Sequence, residues 1–169
     1  MSESVAEHRA AAPDHVRCAV VTVSDTRTVE NDRSGRLILD RLSDAGHEIV
    51  DYQIVKDEPE QINAVLSELV ARDDCDAIIF NGGTGIARRD TTYDTVSRRL
   101  EKQLDGFGEL FRSLSYADIG AAAMLTRATA GVLRGTVVFL TPGSSNAVGL
   151  AMDKLIIPEI AHVVFEMRK

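Results

Sequence analysis

At 169 residues, 44% of them hydrophobic, the chain has room for one domain with a proper core and is cramped for two. A formal net charge of -7 disfavours a general nucleic-acid binder, whose affinity for phosphate backbone needs a basic face. No run approaches the roughly 18 apolar residues of a membrane span, and residues 1–15, with Glu3, Glu7, His8, Arg9 and Asp14, lack an apolar signal core and read as a mobile leader.

Residues 16–23 are valine-rich and free of breakers, which predicts a first strand with Thr22, Ser24 and Asp25 at its carboxyl end. Ser24 and Asp25 face a ligand there, or only satisfy backbone donors of the next turn. Cys18 in this strand and Cys75 before a later one read as small buried hydrophobes. No Cys-x-x-Cys or His-x-x-x-His spacing points to zinc, and a reducing, cytoplasmic compartment is the default.

Asp32 or Ser34 caps an amphipathic helix marked by Ile38, Leu42 and Ala45 and ended by Gly46. A second strand over residues 47–55 leads to Lys56-Asp57-Glu58-Pro59, with Pro59 suited to a first helical turn. Asp57 is a helix cap or an acid aimed at the site; spacing alone favours the cap. Ile62, Val65, Leu66, Leu69 and Val70 keep helical spacing before the next strand. This β-α-β-α-β order predicts an α/β fold, a three-layer α/β/α sandwich around a mostly parallel sheet, as a single domain over residues 16–169.

Ala77-Ile78-Ile79-Phe80 reads as a strand buried on both faces, and Asn81-Gly82-Gly83-Thr84-Gly85 leaves it at the carboxyl edge, where open α/β sheets bind ligands. Three glycines let backbone N–H groups line up against an anion such as phosphate. Arg88-Arg89 adds positive charge, while Asp90 and Asp94 supply carboxylates suited to Mg²⁺. The bland alternative is a glycine-rich turn with a charged exit. The spacing matches neither the dinucleotide fingerprint nor the P-loop.

A helix over residues 92–104 is predicted from Val96, Leu100 and Leu104, with Asp94 also able to serve its amino end. Gly106-Phe107-Gly108 is expected to break it before a short helix marked by Leu110, Phe111 and Leu114. Phe107, Phe111 and Tyr116 serve core packing or a contact surface. Residues 128–132 and 136–141 read as two short strands joined tightly, or as one strand after an irregular turn. The loop Thr141-Pro142-Gly143-Ser144-Ser145-Asn146 follows, with Ser144 or Ser145 capping a final helix that Pro158 kinks or divides. None of the four histidines stands near the glycine loop in sequence, and none is assigned a catalytic role. Three strand ends thus converge on a phosphate-bearing ligand, with carboxylates nearby.

Five motifs in order carry a resemblance: Thr22-Val23-Ser24-Asp25; Gly82-Gly83-Thr84-Gly85 with Arg89-Asp90; Gly106-Phe107-Gly108-Glu109-Leu110-Phe111-Arg112; Arg127-Ala128-Thr129-Ala130-Gly131; and Pro142-Gly143. Together the chain resembles the MoaB/Mog family of molybdenum cofactor biosynthesis proteins, and residues 114–127 resemble its MoaB branch. The resemblance implies Mg²⁺- and ATP-dependent adenylylation of the terminal phosphate of molybdopterin, with release of pyrophosphate. It assigns Asp90 and Asp57 to catalysis and Mg²⁺, shifting Asp57 from cap towards acid. It assigns Gly82, Gly83, Thr84 and Gly85 to phosphate, and Thr22, Ser24, Asp25, Asp94, Gly143, Ser144 and Asn146 to the substrate pocket. It implies a homo-trimer or hexamer, with residues 107–116 in the contact, and a molybdenum-insertion protein downstream. Ser145 and Tyr93 stand where relatives often carry proline. A catalytically weak molybdopterin carrier and a generic nucleotide-binding regulator are the competing expectations.

Overall fold

The computed structural model describes residues 9–169. Residues 1–8, most of the expected leader, lie outside the described residues, while Arg9 ion-pairs with Glu159 near the carboxyl end.

β1 (Arg17–Val23) is buried at six of its seven positions, so helices cover it on both faces. α1 (Arg33–Asp44) starts where Asp32 Oδ1 accepts from the Gly35 N–H at 2.9 Å, and it buries Ile38 and Leu42. β2 (Glu48–Val55) is partly exposed throughout, as an edge strand is. α2 (Pro59–Leu69) opens on its proline and turns Ile62, Val65, Leu66 and Leu69 inward. β3 (Ala77–Asn81) is buried at every position. Then come α3 (Thr92–Ser97), β4 (Lys102–Gln103), α4 (Asp105–Ile119), a 3₁₀ turn (Gly120–Leu125), β5 (Thr129–Leu133) and β6 (Thr136–Thr141). The chain ends in α5 (Ser145–Ala151), a wide π turn (Met152–Ile156) and α6 (Ile157–Arg168). Pro158 sits in the first turn of α6, just beyond the wide turn, so the missing N–H is absorbed without a break in the chain's helical course.

The sheet runs β2-β1-β3-β6-β5-β4. β2, β1, β3 and β6 are parallel, and β5 and β4 add an antiparallel flank. Strand alternation divides the core into two layers. Cys18, Val20, Ile79, Val137 and Phe139 pack under α1, α4, α5 and α6. Ala19, Val21, Ile78, Phe80, Val138 and Leu140 pack under α2 and α3. Each fully buried aliphatic or aromatic side chain contributes about 1.5–3 kcal/mol of transfer free energy. The three-layer α/β/α sandwich is the architecture the element order predicts. Cys18 and Cys75 are free and buried, and burial pushes the Cys75 thiol up to about 11. Among the described residues no helix is long and apolar enough to cross a membrane.

Two expectations are corrected. The helix over residues 92–104 stops at Ser97, because Leu100 packs into the α2 layer and Leu104 into the opposite one. One helical stripe cannot face both, so the chain turns and lays β4 on β5. Gly106-Phe107-Gly108 does not break a helix but lies in the first turn of α4, where a Cβ on Gly108 would sit 2.7 Å from the Ala128 carbonyl. Glycine there lets α4 approach the backbone preceding β5. Phe107 and Phe111 point into the core, with Phe107 edge-on to Phe139 at 5.4 Å between centroids, and so are withheld from any contact surface. Tyr116 is 65% exposed. The two short strands at the end of the sheet form a hairpin across Arg134-Gly135, both at positive φ.

Candidate functional site

β1, β3 and β6 are neighbours in the sheet, so their carboxyl ends open side by side. Backbone contacts lock these ends together: the Gly82 N–H donates to the Thr141 carbonyl at 3.1 Å. Gly82 (φ +100°) leaves no room for a side chain, since a Cβ would lie 2.2 Å from the Val23 carbonyl oxygen. Gly83 (φ +63°) is equally restricted, with Thr92 Oγ1 at 2.0 Å and Asp57 Oδ2 at 2.4 Å from the place a Cβ would take. A cavity of about 440 Å³ opens above, lined by Thr22, Ser24, Gly82, Gly83, Thr84, Gly85, Asp90 and Gly143 among others. Eight of the residues that the sequence singles out thus meet in one place.

The loop is held from below. Arg127 Nε donates to the Thr84 carbonyl at 3.0 Å, and its Nη2 donates to the carbonyls of Gly85 and Asp90. The same guanidinium pairs with Asp94 at 3.0 Å and lies over the Tyr93 ring at 4.9 Å. Tyr93 therefore has a defined place, where a proline would offer no aromatic face to the arginine. Arg127 belongs to the site as the residue that fixes loop carbonyls.

Asp57 is 5% exposed. Its Oδ1 accepts from the Thr91 N–H (3.0 Å), the Thr91 hydroxyl (2.7 Å) and the Thr92 hydroxyl (3.3 Å). It is not the cap of α2; Glu58 holds that position, without a side-chain cap bond. All three donors are neutral, and no ion pair reaches Asp57 among the described residues. Asp90 lies on the other side of the loop: its Oδ2 accepts from the Ala87 N–H at 3.2 Å and would meet a Cβ on Gly85 at 2.5 Å. The two acids thus flank the glycine loop.

Other expected site residues lie elsewhere. Asp25 is clamped by Arg89 through two bonds of 2.9 Å, and it accepts from the Asp57 N–H at 3.3 Å. The Arg89 hydrogen bonds lead in holding the Asp25 carboxyl below its usual range, against the cost of desolvation. Arg89 also reaches Glu58 at 2.8 Å, so it is neutralised rather than free to meet an anion. Asp94 faces a second cavity. Ser144 caps α5, its Oγ accepting from the Ala147 N–H at 3.2 Å, and Ser145 is the first residue of that helix. Asn146 donates to Asp118 Oδ2 at 2.8 Å and lines a separate shallow depression. Two residues past the cap, in the first turn of α5, its side chain lies outside the strand-end cavity.

Asn81 is a site residue that spacing did not single out. It is fully buried, its Nδ2 donates to Thr22 Oγ1 at 2.9 Å, and its Oδ1 has no hydrogen-bond partner among the described residues. Thr22 in turn bonds to Asp32, whose Oδ2 accepts from the Tyr52 hydroxyl at 2.7 Å. Burial opposes ionisation of Asp32, but the bonds from Thr22, Gly35, Tyr52 and Ser34 outweigh it and hold its carboxyl below the usual range. A polar residue closing an apolar strand was the available signal.

Among the described residues no group of three or more metal-binding side chains comes together. Asp57 and Asp90, the two carboxylates against the glycine loop, nevertheless fit the needs of Mg²⁺, which takes one or two protein carboxylates and completes its shell with water and ligand oxygens.

Residues 19–162 match the family described as "Probable molybdopterin binding domain". Molybdenum cofactor biosynthesis protein B of Bacillus subtilis (strain 168) is 56% identical over 167 residues, 98% of each chain. A crystal structure of a molybdenum cofactor biosynthesis protein B superposes with a TM-score of 0.90 at 51% identity, covering 93% of this chain and 98% of the other. The tungsten cofactor synthesizing protein MoaB from Pyrococcus furiosus gives 0.85 at 40% identity, covering 94% and 100%. With the glycine loop, its flanking acids and the strand-end cavity all embedded in that matched span, the chain belongs to the MoaB/Mog family of molybdenum cofactor biosynthesis proteins, on its MoaB side.

Proposed function

We propose that the chain acts in molybdenum cofactor biosynthesis, where it transfers the adenylyl group of ATP to the terminal phosphate of molybdopterin. The observation that carries this reading is a pair of carboxylates against the glycine loop: Asp90 lines the strand-end cavity, and Asp57 lies against Gly83, outside the cavity lining and without a cationic partner among the described residues. An oxygen of the molybdopterin phosphate attacks the α-phosphorus of ATP, the Pα–O bond to the β-phosphate breaks, and the electron pair leaves with pyrophosphate. Positioning and charge neutralisation supply most of such catalysis. Residues 83–85 offer backbone N–H groups to the acceptor phosphate, and Arg127 holds the Thr84 and Gly85 carbonyls. Asp90 and Asp57 would hold Mg²⁺, which when bound neutralises phosphate charge. Thr91 and Thr92 fix the Asp57 carboxylate. A cytoplasmic homo-trimer or hexamer fits the exposed apolar patch of Leu110, Tyr116, Ile119, Met124 and Leu125, and a molybdenum-insertion protein fits as recipient of the product.

One observation favours a second reading. Asp57 Oδ1 already accepts three hydrogen bonds, as a purely loop-fixing carboxylate does in a catalytically weak molybdopterin carrier. Turnover of purified protein with molybdopterin, ATP and Mg²⁺, reading adenylylated pterin and pyrophosphate together, separates the two. Both products, lost in Asp57→Ala and Asp90→Ala, support the transferase; pterin binding without either product makes the chain a carrier.

A further inference from the structure

The strand-end cavity has a larger neighbour. A second cavity of about 670 Å³ opens beside the segment that follows the glycine loop, and Asp90 lines both. Four arginines, Arg88, Arg98, Arg99 and Arg127, border it against two acids, Asp90 and Asp94. Their commitments differ. Arg127 is paired with Asp94. Arg99 donates to Asn63 at 2.8 Å and touches Ser67, both neutral, so it is oriented but keeps its charge. Arg88 and Arg98 are exposed, and their guanidiniums have no hydrogen bond or ion pair among the described residues. Three guanidiniums then stand against Asp90 alone, a local positive excess on a chain whose net charge is -7. Arg89, next in sequence to Arg88, shows the contrast, since Asp25 and Glu58 neutralise it.

We propose that this second cavity is a diphosphate site, which takes the β- and γ-phosphates of ATP and holds them as pyrophosphate when they leave. The inference rests on the adenylyl-transfer reading. In an in-line displacement at the α-phosphorus the attacking and leaving oxygens lie on opposite sides. Acceptor phosphate at the glycine loop therefore needs its leaving group placed away from it, and Asp90 lines both the cavity at the loop and its neighbour. The planar fork of arginine suits phosphate, which it binds in bidentate fashion. Arg98 and Arg99, adjacent to each other and free of carboxylates, are the residues assigned to this anion, with Arg88 at the rim.

Calorimetric titration of the full chain with inorganic pyrophosphate, in buffer containing Mg²⁺, tests the site directly. Wild-type protein is expected to bind pyrophosphate more tightly than orthophosphate, and Arg98→Ala and Arg99→Ala each to weaken it by about tenfold, as loss of one charge-assisted bond does. Ser24→Ala, in the other cavity, is expected to leave pyrophosphate binding unchanged, and saturating molybdopterin is expected not to displace it. Absence of binding at millimolar pyrophosphate, equal binding by an Arg88→Ala/Arg98→Ala/Arg99→Ala variant, or displacement by molybdopterin each overturns the proposal. The turnover assay reads the parent hypothesis separately. Transfer activity with arginine-independent pyrophosphate binding overturns the site and keeps the transferase; arginine-dependent binding without transfer does the reverse.

Discussion

Asp57 and Asp76 are two carboxylates of nearly equal burial, 5% and 6% exposed, at opposite ends of the same sheet. Asp76 precedes β3 and is met by cations. Its Oδ2 accepts from the Arg17 N–H and Nε, each at 3.0 Å; its Oδ1 accepts from Arg17 Nη2 at 2.7 Å and from Arg168. Those bonds tie β1, the start of β3 and the end of α6 together. Asp57 follows β2 and meets only hydroxyls and an N–H. A buried carboxylate neutralised on the spot is a clamp, whereas one solvated by neutral donors keeps its charge for something that arrives later. Burial alone does not separate the two; the charge of the neighbours does.

The contrast breaks most visibly at Asp57. Asp57→Asn retains an acceptor for Thr91 and Thr92 while losing the charge, and it is expected to lower turnover by about 10³-fold, roughly 4 kcal/mol of barrier, without lowering the melting temperature. Steady-state pyrophosphate release alongside a thermal melt reads both; a folded variant with wild-type turnover removes the charge from the mechanism.

Asp76→Asn is expected to do the opposite, costing about 2 kcal/mol in urea unfolding at neutral pH while turnover of the folded protein persists. Burial opposes ionisation of Asp76, but the guanidiniums of Arg17 and Arg168 outweigh it and keep its carboxyl below the usual range. A carboxyl depressed by folding stabilises the protein above its unfolded pKa and loses that contribution as pH falls through the folded value. The gap between wild type and variant is thus expected to close on acidification below about pH 4. A gap that persists there would assign the loss to packing instead.

Thr91→Val sharpens the comparison at smaller scale, removing the 2.7 Å hydroxyl bond to Asp57 while keeping the N–H bond. Turnover is expected to fall by about tenfold, near 1.4 kcal/mol, and a change confined to stability would show that the hydroxyl only holds the fold. Arg168→Ala is the smallest effect, about 0.5 kcal/mol in urea unfolding, because that side chain is 48% exposed and Arg17 remains. A loss equal to that of Asp76→Asn would transfer the clamp from Arg17 to Arg168.

What the sequence disclosed followed from how local each determinant is. The apolar runs of β1, β3 and β6 and the glycine loop between β3 and α3 are legible because burial on both faces and positive φ leave their marks in consecutive residues. Asp57 was ambiguous between cap and acid because its partners, Thr91 and Thr92, lie more than thirty residues away. Arg89 looked like a free cation for the same reason: the acids that neutralise it come from the ends of β1 and β2. Leu100 and Leu104 suggested one helix because periodicity cannot tell that they serve different core layers. Asn146 lies in the first turn of α5 and outside the strand-end cavity, which a loop read from sequence does not disclose, and Asn81 gives little sign of its role because a lone amide at a strand end has no spacing to betray it.

The glycine loop is shaped from downstream. Thr141 binds the Gly82 N–H, Gly143 packs against Gly82, and Arg127 holds three carbonyls of the loop and its exit. On a ribosome, β1, α1, β2, α2 and β3 emerge with both acids and all three loop glycines before any of these supports exists. The nascent chain carries the residues of the site but not its form, and the strand-end cavity is complete only when β6 inserts beside β3. A fragment ending at residue 125 would keep every assigned carboxylate yet lack Thr126, Pro142 and Gly143 from the cavity wall, together with Arg127 and Thr141 that hold the loop, so the shape of the site reports on sequence far downstream of its acids.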